Sequence, residues 1–89
     1  MPRTELATAG DLLASAAEDA GPDARETLTD IADQLRRLAD ADRGPDHGRL
    51  ARIEAKLDTV QTSGSDEVAV AIDGALDEIH AYRETVEGV

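Results

Sequence analysis

The sequence predicts an all-α fold, a short-loop antiparallel bundle of about four helices. Three observations predict it. Apolar residues recur in alternating steps of three and four along nearly the whole chain, good helix formers dominate each stretch, and three short breaks separate the stretches. The alternation of a strand is missing. The breaks are Ala20-Gly21-Pro22-Asp23, Arg43-Gly44-Pro45-Asp46 and Thr62-Ser63-Gly64-Ser65. They leave expected helices at roughly 4–20, 23–42, 46–62 and 66–87, in a single domain spanning residues 1–89.

The breaks carry helix punctuation. Gly suits the left-handed position after a helix, and Pro just beyond it prevents continuation. Asp23 and Asp46 then stand where an N-cap or first-turn acid is favourable. The pattern Asp-x-Gly-Pro-Asp occurs at 19–23 and again at 42–46, as one helix-to-helix joint used twice. The flanking apolar positions keep no common offset, which argues against an internal repeat.

Each helix in turn has one apolar stripe. The first places Leu6, Ala9, Leu13, Ala16 and Ala20 on one face. That face is mostly Ala, so it permits close backbone approach but buries little area. Leu12 falls about 80° from its centre at 100° per residue. The second helix aligns Ala24, Leu28, Ile31, Leu35 and Leu38, and the third Leu50, Ile53, Leu57 and Val60. The fourth aligns Val68, Ile72, Ala75, Ile79, Tyr82 and Val86. Connections of about two to six residues make sequential helices antiparallel.

A chain of 89 residues buries only roughly 60–65% of its unfolded surface. Leu, Ile and Val together number 18, Phe and Trp are absent, and Tyr82 is the sole aromatic residue. The core is therefore thin. Self-association is expected to supplement it, as a homodimer through the surface of the first or the fourth helix.

Charge narrows the function classes. Twenty acids, twelve of them Asp, oppose eight Arg and one Lys (Lys56), for a net charge of −11. Such a chain repels itself, and molar salt, with a Debye length of about 3 Å, removes most of that repulsion. Abundant Asp with a single Lys is the balance expected of a very salty cytoplasm. It speaks against general nucleic-acid binding, which needs clustered Lys and Arg, and against anionic membrane surfaces. No apolar run approaches the ~20 residues of a spanning helix, and the N-terminus lacks a basic-then-apolar signal layout, so a cytoplasmic location is expected. Without Cys there is no disulfide framework, thiolate zinc site or Cys nucleophile.

The acidity is uneven. Between Arg36 and Lys56, six bases oppose four acids for a net +2, which leaves −13 on the rest of the chain. Arg49, Arg52 and Lys56 share one stripe of the third helix, beside its apolar face. Next to them the Arg43-Gly44-Pro45-Asp46-His47-Gly48-Arg49 turn offers backbone N–H groups at a helix start. Arg43, His47, Arg49, Arg52 and Lys56 therefore form a candidate surface for an acidic partner protein or a small anion. The plainer reading is internal pairing, for which Asp33 with Arg37, Arg36 with Asp40, and Glu54 between Arg52 and Lys56 are the local options.

A second constellation lies on the fourth helix, where Asp66, Asp73, Asp77, His80, Glu84 and Glu87 fall within about 80°. Carboxylates with one imidazole suit a divalent metal, and Asp73, Asp77, His80 and Glu84 are its candidate ligands. The stripe is placed opposite the apolar one, however, so a solvated helix face explains it more simply. No metal and no other cofactor is expected. Tyr82, at the edge of the apolar stripe, reads as a core-edge residue or as an interface anchor. His47 and His80 have no nucleophile and orienting group around them in the sequence, and Ser15, Ser63 and Ser65 have no companion motif. The chain reads as a non-catalytic interaction or structural module rather than an enzyme.

The Asp42-Arg43-Gly44-Pro45-Asp46-His47-Gly48-Arg49-Leu50-Ala51-Arg52 turn and the Ala81-Tyr82-Arg83-Glu84-Thr85-Val86-Glu87-Gly88-Val89 ending resemble a family of small acidic proteins from halophilic archaea. The resemblance runs the length of the chain, with these two segments its most specific parts. That family carries no assigned activity, so the resemblance implies a salty cytoplasm and transfers no functional residue.

Overall fold

Four helices, α1 (Thr4–Glu18), α2 (Pro22–Asp40), α3 (His47–Ser63) and α4 (Asp66–Glu87), make up the computed structural model, which describes residues 3–41 and 47–87. No strand occurs among the described residues. The helices form a ring in which α1 packs on α2 and α4, and α3 packs on α4 and more sparsely on α2. Neither diagonal pair, α1 with α3 or α2 with α4, is in close contact among the described residues. The molecule measures 38 × 20 × 18 Å.

The apolar stripes meet inside this ring. Leu50, Ile53, Leu57 and Val60 of α3 are all buried, as are Val68, Ile72, Ala75 and Ile79 of α4 and Leu28, Ile31 and Leu35 of α2. Tyr82, Leu38 and Ala24 are half-buried against them. α1 is the most enclosed helix. Leu6, Ala9, Leu13, Ala16 and Ala17 are buried, and Leu12 also packs on the core. The off-stripe position of Leu12 has a simple cause: α1 has two neighbours and needs a wide apolar arc. Leu12 lies over Gly74 of α4, its Cδ1 3.4 Å from where a Cβ on that glycine would sit. On the other flank Gly10 lets α1 approach α2, since a Cβ there would stand 3.2 Å from the Ala32 carbonyl oxygen.

The joints differ from expectation in one respect. Gly21 does not take a left-handed conformation after α1; its φ is −68° and it serves as the N-cap of α2, followed by Pro22 and the first-turn Asp23. The last carbonyls of α1 are instead satisfied by tightened turns, with Asp19 N–H donating to Ala16 and Ala20 N–H to Ala17. The guanidinium of Arg25 adds donors, Nε to Ala17 O at 2.9 Å and Nη2 to Glu18 O at 3.2 Å. Arg3 does the same for α2, its Nη1 donating to Leu38 O at 3.0 Å and Ala41 O at 2.8 Å. A cation at a helix C-terminus is favoured by the helix dipole as well as by the orphan carbonyls. Ser65 precedes α4 as its cap, its Oγ accepting from the Val68 N–H. Gly44, Pro45 and Asp46 of the second joint lie outside the described residues.

No helix among the described residues is long and apolar enough to cross a membrane.

Candidate functional site

Among the described residues no polar or charged side chain is buried, so candidate chemistry lies at the surface. The surface is not uniform, because α2 and α3 face one another with polar stripes instead of apolar ones. On α2 the stripe is Thr27, Asp30, Gln34 and Arg37, in steps of three and four; on α3 it is Arg49, Arg52, Lys56 and Thr59, in the same steps. Two such faces do not zip into a dry seam. The result is an open groove between α2 and α3.

One end of the groove is cationic. Gln34 and Arg37 from α2 and Arg49, Arg52, Ile53 and Lys56 from α3 line a cleft of about 370 Å³. The antiparallel pairing produces it, by setting the C-terminal half of α2 beside the N-terminal half of α3. Toward the other end Glu26, Thr27, Asp30, Ile31, Thr59 and Val60 line a wider hollow of about 530 Å³, which Lys56 also borders. Glu26 and Asp30 give that end the opposite sign.

The local pairs suggested by the sequence do not neutralise this cluster. Arg36 points away, onto α1, where its Nη2 lies 2.9 Å from Asp11 Oδ1. Glu54 also points away, onto α4, where Arg83 Nη1 lies 3.1 and 3.2 Å from its two carboxylate oxygens and His80 Nε2 3.6 Å from Oε1. Among the described residues no ion pair or side-chain hydrogen bond engages Arg37, Arg52 or Lys56. Arg49 and His47 each already engage a neighbour. His47 is the first residue of α3 and exposed, and does not line the cleft. Arg43 lies outside the described residues. Arg37, one of the six bases between Arg36 and Lys56, joins the cleft from α2.

Among the described residues, no three His, Asp or Glu side chains come together in a way that could hold a metal ion. Asp73, Asp77, His80 and Glu84 are all exposed. Two of them look toward α3: Asp73 Oδ1 accepts from Gln61 Nε2 at 2.6 Å, and His80 lies beside Glu54. The acidic stripe of α4 thus borders the α3–α4 seam rather than standing directly opposite the core. Val70, in the same stripe, is the one large apolar side chain exposed among the described residues, at 70%.

A family model described as "Family of unknown function (DUF7553)" matches residues 1–85. No curated protein and no solved structure matches the chain.

Proposed function

Because the chain belongs to DUF7553, a family of unknown function, we propose from its own residues that it is a non-catalytic interaction module whose α2–α3 groove takes an acidic segment of a partner. The observation that carries this reading is the convergence of Arg37, Arg49, Arg52 and Lys56 on one cleft of a chain with a net charge of −11. Like charges gathered at one place repel one another unless something anionic lies among them. Arg37, Arg52 and Lys56 meet no acid of their own chain among the described residues, although acids outnumber bases by 20 to 9. Arg makes bidentate contacts with carboxylates, which suits recognition of Asp and Glu side chains. The setting we propose is a very salty cytoplasm, on the strength of twelve Asp against one Lys.

The test uses labelled deca-glutamate as probe and deca-lysine as control, with binding followed by fluorescence anisotropy. Deca-glutamate binds the full chain, and the Arg37→Gln, Arg52→Gln variant loses that binding while keeping its helical circular dichroism. If deca-glutamate does not bind, or binds the variant equally well, the cleft is not a recognition surface.

A further inference from the structure

We propose that the acidic partner is a second copy of this chain, which lays the outer stripe of its α4 into the cationic cleft. This rests on the reading above that the cleft receives an acidic segment, and it adds the identity of that segment.

The outer stripe of α4 runs Asp66, Val70, Asp73, Asp77, His80 and Glu84, in steps of four, three, four, three and four, and all six are exposed. Across the cleft wall, Arg49, Arg52 and Lys56 of α3 follow steps of three and four. Two helices with matching three–four stripes of opposite sign can pair charge to charge over several turns, as flanking positions of coiled coils do. Val70 supplies the second observation. An apolar side chain at 70% exposure sits between Asp66 and Asp73 in this stripe, and Ile31 and Val60 line the groove just beyond the bases.

These features set a register. With Val70 at the Val60 level and the incoming α4 antiparallel to α3, Asp73 comes beside Lys56 and Asp77 beside Arg52. Glu84 then lies toward the Arg37 and Arg49 end. Seven residues span about 10.5 Å on either helix, so the spacing between Val70 and Asp77 matches that between Val60 and Ile53.

The two surfaces are different parts of the molecule. α3 carries the cleft on its α2 flank, and the acidic stripe borders its α4 flank. Contact between copies therefore pairs unlike surfaces: head-to-tail growth leaves each copy one surface free for the next, whereas a closed two-fold pair engages both surfaces of both copies. Salt acts in an unusual direction here. At about 0.1 M ionic strength, with a Debye length of about 10 Å, two chains of net −11 repel at long range; at about 1 M the length falls to about 3 Å. Contact ion pairs of Arg with carboxylates then operate with the general repulsion removed. Association strengthens between these salt concentrations, whereas an ordinary ion-pair interface weakens.

The test is sedimentation velocity on the full chain across about 0.1 to 1 M KCl, with two variants. Arg37→Gln with Arg52→Gln disables the cleft, and Asp77→Asn with Glu84→Gln disables the stripe. The wild type assembles, more strongly at high salt. Each variant alone assembles about tenfold more weakly, and an equal mixture of the two forms a 1:1 dimer that grows no further, since one intact cleft meets one intact stripe. Glu18→Gln with Asp19→Asn shifts the net charge by the same amount as the stripe variant and leaves assembly intact. A wild type that stays monomeric at every salt concentration overturns the proposal, as does assembly that both variants retain. Deca-glutamate binding by a monomeric wild type overturns only the choice of partner; failure of both overturns the recognition reading as well.

Discussion

Replacing Arg25 by Ala removes the cap from the C-terminus of α1 without touching the core. The Nε bond to Ala17 O is 2.9 Å and partly buried, the Nη2 bond to Glu18 O is 3.2 Å, and the third, to Ala20 O at 3.4 Å, is marginal. A hydrogen bond from a charged donor contributes about 1.5–3 kcal/mol when protected. Arg25 is largely exposed, so the low end applies, and the longer bonds add little. The positive charge at the helix C-terminus contributes a further 0.3–1 kcal/mol or so. Rotamer freedom regained by the chain offsets part of this. The net loss is about 1–1.5 kcal/mol, which for a domain of this size lowers Tm by roughly 4–12 °C. The assay is thermal unfolding by far-UV circular dichroism at fixed molar KCl, with Arg52→Ala as the control. Both substitutions change the net charge by the same amount, but Arg52 lies inside α3, away from any helix C-terminus, and meets no acid among the described residues. Equal shifts for the two would mean that net charge alone acts, and the capping argument would be refuted.

The two helical glycines that bring α1 against its neighbours should respond oppositely. Gly74→Ala places its Cβ in ordinary contact with Leu12, 3.4 Å away, so the gain in helix propensity of up to about 1 kcal/mol raises Tm. Gly10→Val sets a branched side chain where even a Cβ would stand 3.2 Å from a backbone oxygen, and overpacking costs about 1–3 kcal/mol; an unchanged or higher Tm would show that α1 and α2 can separate freely. Glu54→Gln removes the charge and one of the two acceptors from the contacts with Arg83 at 3.1 and 3.2 Å, between side chains only 19% and 24% exposed. Its cost is about 1 kcal/mol in urea titration, and a change no greater than that of Asp58→Asn, on the exposed side of the same helix, would count against it. Raising KCl from about 0.1 to about 1 M should raise the Tm of the wild type, because the repulsion within a chain of net −11 is screened over that range; a flat or falling Tm would contradict the salt adaptation.

The sequence states which residues of a helix are inward far better than it states which helices meet. The stripe Leu50, Ile53, Leu57 and Val60 is buried in full, because α3 has one principal partner and a single narrow face. α1 is harder, since Leu12 is off the stripe only for a helix with one neighbour. The cap by Arg25 was out of reach, because it depends on α2 folding back so that a side chain in its first turns reaches the carbonyls of α1. The cleft was legible in part. Arg49, Arg52 and Lys56 announce themselves by their spacing along one helix, whereas Arg37 joins them only through the antiparallel pairing of α2 and α3. Ion pairs were least legible: Arg36 takes Asp11 and Glu54 takes Arg83, both distant in sequence, where nearer acids and bases had suggested local partners.

The ring of helices is closed unevenly, and that has a kinetic meaning. α1, α2 and α4 are locked through small residues at close approach, while α3 leans on α4 and touches α2 sparsely. Such an arrangement divides the domain into two cooperative units, a three-helix body and a single-helix flap. Amide hydrogens of α3 should exchange through a partial opening that leaves the other three helices protected. An acidic ligand that bridges Arg37 to Arg52 would close that route, so slowed exchange confined to α3 would report occupancy of the groove even for a ligand too weakly bound to isolate.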